Sequence, residues 1–410
     1  MSGFRDSSEL NDRLVQVLNR EQQERARTHF SAALLESRFL ESIELSHDGV
    51  DLIALDRKTR LRLALKTMTE LTTTHAARGI DGRQIPTELV QILGSFHDHN
   101  LGIYSGPINS RRVLIEWRMY AGQEVDETVL QELFVRLECI VDLLRMEKPR
   151  DFCSLPCRGF FHDASRRGFG VIYDLSLKLS DDCGPGIVTL KDLIKSNEGI
   201  AKQPILDDKF RLAWVLANAL LEFHLVGWLH KGLASSNIIF THQSPPQLDI
   251  IRDPYIIGFN HSRPDEPSAF TTGPSGLRNY DYQHPRYQQS KRGYKREYDY
   301  YSLGIILLEI GFWETLGRWK RDWTEKLGRT ENRKRSISPE EVYEKLLKAR
   351  VPYLGQVMGS TYRDAVLACL TGSFTTMSKA AEDASGREAA VQLGFGEQVV
   401  ERLGGLLRSS

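Results

Sequence analysis

The sequence predicts an α+β chain of two lobes, a small β-rich lobe followed by a large helical one, with a helical segment in front. Three observations carry this. Arg112–Tyr120 alternates apolar and polar residues at the period of a strand. Phe210 to His224 is a nearly all-apolar run that suits a buried helix. Tyr298–Ile310 is a second such run, and it lies well downstream of the strands. Strands first and helices afterwards is the order of an α+β fold rather than of alternating βαβ units.

Taken in order, residues 8 to 100 read as helices. Leu10, Leu14, Val17 and Leu18 share one helical face, and Leu61, Leu65, Met68 and Leu71 share another. Strand character begins near residue 102. A helix is expected from Asp126 to about Met146, with Leu130, Leu133, Phe134, Leu137 and Val141 on its apolar face and Glu132 and Glu138 as its acidic candidates for an inward ion pair. Phe160-Phe161 and Phe169–Leu175 read as two strands joined by the turn 163–168. Thr189–Ile194 suits a short helix. Ser338-Pro339-Glu340-Glu341 is a helix start, with Ser as cap, Pro in the first turn and Glu341 closing a capping box. The division expected is a helical region over 1–100, a two-lobed domain over 101–380 and a helical tail over 381–410.

Composition narrows the function. Lys+Arg and Asp+Glu both number 54, so the net charge is zero, which argues against a nucleic-acid binder or an anionic-membrane binder. The cysteines Cys139, Cys153, Cys157, Cys183 and Cys369 are scattered without paired C-x-x-C spacing, so no metal site is expected. An odd cysteine count and a polar start point to a reducing, cytoplasmic compartment. No stretch reaches the ~18 apolar residues of a membrane span.

The chemistry-bearing stretch is Phe223 to Phe240. An apolar helix ends at a Gly227-Trp228 corner, a His230-Lys231-Gly232 loop follows, and Asn237 leads into an apolar strand. Further on, Tyr255-Ile256-Ile257-Gly258-Phe259-Asn260 is another apolar strand ending in a turn. The loop resembles the catalytic loop of protein kinases, H-R-D-x-x-x-x-N, in which the Asp takes the substrate proton and the Asn holds a metal ion. Gly258-Phe259-Asn260 stands where kinases carry Asp-Phe-Gly, His284-Pro285-Arg286-Tyr287 stands near Ala-Pro-Glu, and Asp299 with Ser302, Gly304 and Glu309 resembles the start of the kinase's buried helix.

Residues from about 105 to 375 thus look like a degenerate protein kinase domain. The resemblance is closest to fungal proteins in which a kinase-like domain follows a HeLo-type helical domain, associated with prion inhibition and propagation and heterokaryon incompatibility. It implies that Asn237 keeps the metal position, that Gly232 replaces the base and Gly258 the metal-binding Asp, and that Glu116 or Arg118 replaces the phosphate-holding Lys. Asp299 is implied to hold the backbone around His230 and Lys231. Gly94, Gly102 and Gly106 do not spell a G-x-G-x-x-G loop and read as ordinary hairpin glycines. The expectation is a pseudokinase with protein partners and no cofactor beyond weak ATP binding. The alternative is an active atypical kinase using displaced carboxylates such as Asp253, Asp265 or Glu116. The polar insert 313–335 ends in the basic run Arg333-Lys334-Arg335, and Ser336 after it is a candidate phosphorylation target.

Overall fold

Antiparallel pairing builds the first part of the fold. Strands β1 (Val90–Phe96), β2 (His99–Ser105), β3 (Ser110–Met119), β4 (Cys157–Asp163) and β5 (Gly168–Asp174) form one sheet in the order β1-β2-β3-β5-β4. The computed structural model describes residues 84–120, 134, 137–138, 140–146, 148–175, 186–196, 203–242, 248–259, 262–264, 280–290, 293–331, 337–374 and 384–408. All of these fall within the unit Thr67–Ser410. The helices expected before residue 84, together with Leu130, Glu132, Leu133, Asn260, Asp265, the run 333–335 and Ser336, lie outside the described residues.

The expectation of helix up to residue 100 is corrected here. Val90–Phe96 is a strand, and Gln84 already bridges Phe160. The sheet therefore starts before residue 102. The reason is non-local: β1 is held by its register with β2, from Val90 opposite Tyr104 to Phe96 opposite His99. Its own alternation is interrupted by a bulge between Ile92 and Gly94.

One sheet face buries Ile85, Val113, Ile115, Phe161 and Ile172, with Tyr104 and Trp117 against them. On the other side, the described residues among 134–145 are helical and bury Leu137, Ile140, Val141, Leu143 and Leu144. The Phe134 ring meets Phe160 and Phe169. Burying each such side chain contributes ~1.5–3 kcal/mol. Lys148 closes this helix by donating to the carbonyls of Leu143, Leu144 and Met146, and burial lowers its pKa to about 8.

The second part is mainly helical. Strand β6 (Gly186–Thr189) runs into α1 (Leu190–Ser196) and then α2 (Leu206–Leu225). β7 (Trp228–Leu229), β8 (Ile238–His242), β9 (Tyr255–Ile256) and β10 (Arg263–Pro264) frame the loop, pairing as β6-β8-β9 and β10-β7. Helices α3 (Pro285–Ser290), α4 (Arg296–Phe312), α5 (Leu316–Glu331), α6 (Pro339–Lys345), α7 (Val351–Thr371), α8 (Ala384–Phe395) and α9 (Arg402–Leu406) complete it. The Ser338 capping box forms in full.

Helix α4 is buried from Asp299 to Gly311. Gly304 and Gly311 let α7 lie close, since a Cβ there would stand 3.0 Å from Leu370 and 2.6 Å from Leu354 respectively. The expected tail is helical and packed inside: Phe395 stacks on Tyr300 at 4.0 Å, and Val399 and Leu403 are buried. No helix among the described residues is long and apolar enough to cross a membrane.

Gly170, central in β5, tests this packing. An added Cβ would meet Phe161 at 2.4 Å and Ile115 at 3.0 Å. Gly170→Ala is expected to lose ~1–3 kcal/mol by overpacking, read as a lower denaturant midpoint at unchanged slope.

Candidate functional site

The loop between β7 and β8 is fixed from below by one carboxylate. Asp299 is 0% exposed. Its Oδ2 accepts from the backbone N–H of His230 at 2.8 Å, and its Oδ1 accepts from that of Lys231 at 2.9 Å. Tyr294 donates its hydroxyl to Oδ1 at 2.6 Å, and His224 Nε2 lies 3.1 Å from Oδ2. Burial alone would raise this carboxyl. The hydrogen bonds and charge of its partners, His224 foremost, outweigh burial and hold the pKa below the ordinary value. Lys231 takes a left-handed φ of +63°, and its ammonium stands over the Tyr294 ring.

His230 is buried against the Phe259 ring, 4.8 Å between centroids. Phe259 also meets Phe223, which meets Phe152, so an aromatic chain runs from the loop through α2. His230 Nδ1 accepts from Gly232 N–H at 3.2 Å, and its carbonyl accepts from the Ser262 hydroxyl. Burial lowers the His230 pKa to about 4, so the ring is neutral at pH 7.

The sequence brings Asn237 and Gly258 together here. Asn237 Nδ2 donates to the carbonyl of Gly232 at 2.6 Å, which closes the loop on itself. Gly258 has φ +91°, and a Cβ there would lie 2.2 Å from Asn237 Nδ2. The Asn237 amide therefore fills the space into which any side chain at 258 would project. Gly232 is tight as well, with a Cβ there 3.1 Å from the Gly258 carbonyl.

Glu116 reaches the same turn from the sheet. It is 1% exposed, and its Oε2 accepts from Gly258 N–H at 2.9 Å. Arg118, two residues on, lines with Glu116, Leu137, Ile140, Val171, Tyr173 and Phe259 a cavity with room for about one water molecule. Burial and then the nearby Glu116 charge push the Tyr173 phenol well above its usual range. Glu138 is buried on the neighbouring helix. Asp253 is not part of this group: it sits at the end of a short turn, where its charge acts on Cys153 and Tyr255. Among the described residues no group of three His, Cys, Asp or Glu could hold a metal ion.

Gly94 and Gly102 lie within strands β1 and β2, and Gly106 follows β2, so none stands at the tip of the β1–β2 hairpin. The tip of the β1–β2 hairpin is His97-Asp98, and His97 itself takes φ +52°. Three further groups stand here; Tyr294 and His97 had no motif to announce them, whereas Glu309 belongs to the pattern read at the start of the buried helix. His224 and Tyr294 complete the Asp299 cluster. Glu309 is buried and accepts from the Tyr282 hydroxyl and Leu316 N–H, with burial raising its pKa. His97 meets Asp192 on α1.

Among known families, the one described as a domain of unknown function, DUF7580, matches residues 169–401, which is more than half of the chain. The chain belongs to that family. No curated protein matches it.

Two outcomes follow from the cluster. Asp299→Ala strands two buried N–H groups and the Tyr294 hydroxyl, at ~1–3 kcal/mol each before relaxation, so a loss on the order of 3 kcal/mol or more is expected in a denaturant melt. His99, His230 and His284 all have pKa values lowered by burial to about 4. The unfolded chain takes up their protons from about pH 6.5 downward, and the folded chain only near pH 4. Stability is therefore expected to fall as pH drops from 7 to 4. Asp299, with its lowered pKa, adds its own loss below about pH 4. A denaturant midpoint independent of pH across this range would contradict the burial of these imidazoles.

Proposed function

We propose that this DUF7580 family member is a catalytically inactive protein kinase-like domain, of the type that accompanies fungal HeLo domains, working as an interaction or regulatory module in self/non-self signalling. The supporting observation is the Asn237 side chain, which fills the space of a carboxylate at 258. Phosphoryl transfer in kinases is positioning plus electrostatic stabilisation by a Lys and by Mg²⁺ held on an Asp and an Asn. Here the base position is Gly232 and the metal Asp position is Gly258. The strand position of the Lys holds Glu116 on direct overlay or Arg118 on a two-residue shift, and neither is Lys. Removing one such electrostatic group typically lowers a rate ~10²–10³-fold.

The order of elements is in keeping with this reading. A five-stranded antiparallel sheet precedes a helical region, and Asp299 at the start of α4 holds the loop backbone. That task is structural and survives the loss of chemistry.

One observation favours the alternative, an active atypical kinase that transfers phosphate from ATP. Glu116 is a carboxylate that reaches the turn next to Asn237. Its buried Oε2 is already engaged by Gly258 N–H, and Mg²⁺ needs several oxygens in octahedral geometry. This supports the inactive reading over the alternative.

The purified chain is expected to transfer no labelled phosphate from ATP to itself or to generic protein substrates, and to show no Mg²⁺-dependent thermal shift with ATP. Transfer that disappears in both Asn237→Ala and Glu116→Gln would establish the alternative. Gly258→Asp is expected to remain inactive and to be less stable than the parent, because its Cβ meets Asn237.

A further inference from the structure

The space between the sheet and the loop is bridged twice, and both bridges start from the same end of the sheet. Glu116 on β3 reaches Gly258. Its register partner on β2 is His99, two residues from His97 at the hairpin tip. His97 Nε2 in turn lies 2.6 Å from Asp192 Oδ2 on α1. Helix α1 belongs to the loop side, because Thr189, just before it, pairs with Ile239, two residues beyond Asn237.

Both ends of the second bridge are preset. The Thr189 hydroxyl donates to Asp192 Oδ2 at 2.7 Å and accepts from Asp192 N–H at 3.0 Å, which fixes the carboxylate at the start of α1. On the hairpin, Asn100 Nδ2 donates to the Gly94 carbonyl, and Trp117 Nε1 donates to Asn100 Oδ1. The Phe96 ring stands edge-on to His97 at 4.9 Å. The two-residue turn has no glycine, and its left-handed histidine is a conformation that the surrounding contacts must hold.

We propose that the β1–β2 hairpin is a clasp, closed by His97 on Asp192, that shuts the mouth of the cleft, and that anything entering the cleft must first open it. The proposal rests on reading this space as the cleft of a kinase-like domain. The contact is half-exposed, with side-chain exposures of 42% and 35%. A contact of that kind is weak, in the range of a surface ion pair, and weakness is what a reversible closure needs. Glu116 and Gly258 behind it form the buried, permanent bridge.

The test is amide hydrogen exchange on the full chain, comparing the parent with His97→Ala, Asp192→Asn and, as control, the exposed Leu93→Ala. Opening of the clasp frees both partners. His97→Ala should therefore speed exchange by roughly threefold, as expected for a surface pair, in the hairpin 90–105 and also in 190–196, where no residue has changed. Asp192→Asn keeps an acceptor for the histidine and should lie between the parent and His97→Ala. Faster exchange confined to the hairpin, or no change in either segment, overturns the clasp. Phosphate transfer and Mg²⁺-ATP binding, measured on the same proteins, bear only on the function proposed above. A clasp that behaves as described in a chain that transfers phosphate would leave this inference standing and remove that reading.

Discussion

The buried carboxylate of Asp299 is the interaction on which the loop region depends. A loop that turns sharply after β7 leaves backbone N–H groups pointing into the protein, where no water reaches them. Asp299 takes two of these, one on each oxygen, and is itself satisfied by Tyr294 and His224. A buried charge persists only when its oxygens are this fully occupied. Helix α4 places the residue in its first turn, where a negative charge also suits the helix dipole. From that point upward the order is forced. The loop fixes His230, His230 fixes Phe259, and Phe259 joins Phe223 and Phe152 in the core.

This scaffold is separate from the groups that would perform chemistry. None of Asp299, His224, Tyr294 or Phe259 needs a ligand to keep its place. The positions that face the cleft instead hold two glycines, an amide and a buried carboxylate. Asn237 bonds to its own loop, and Glu116 bonds to the turn. Each is an internal tie that holds without a ligand. The acidic Glu116 and the basic Arg118 line one cavity beside this turn. That cavity has room for about one water.

Much of this was legible in the sequence where residue spacing carried the information. The alternation of Arg112–Tyr120 marked β3, and the apolar runs marked α2 and α4. Ser338 and Glu341 announced their capping box by spacing alone. The first strand was not legible. Val90–Phe96 carries a bulge and a glycine, and only its pairing with β2 decides its state. The absence of side chains at Gly232 and Gly258 could be read from the sequence. That Asn237 occupies the vacated space, or that Glu116 turns across to Gly258, could not. Those contacts join residues far apart in the chain, at distances that no local pattern encodes. The same holds for His97 and Asp192, whose meeting depends on the aim of a hairpin tip.

The glycine at 258 shows how several contacts of the site hang on one position. Its φ of +91° suits glycine and strains any other residue. Its missing Cβ is what admits the Asn237 amide, and that amide holds the Gly232 carbonyl. Its N–H is what anchors Glu116, and with Glu116 the central strand β3 of the sheet. Restoring an aspartate there would expel the amide, release the loop carbonyl and bring two carboxylates to one turn. Each of those steps is unfavourable, and no one of them is relieved without changing another residue. The four positions 116, 232, 237 and 258 therefore form one interlocked unit. Its present arrangement keeps the loop and the sheet joined without a ligand between them.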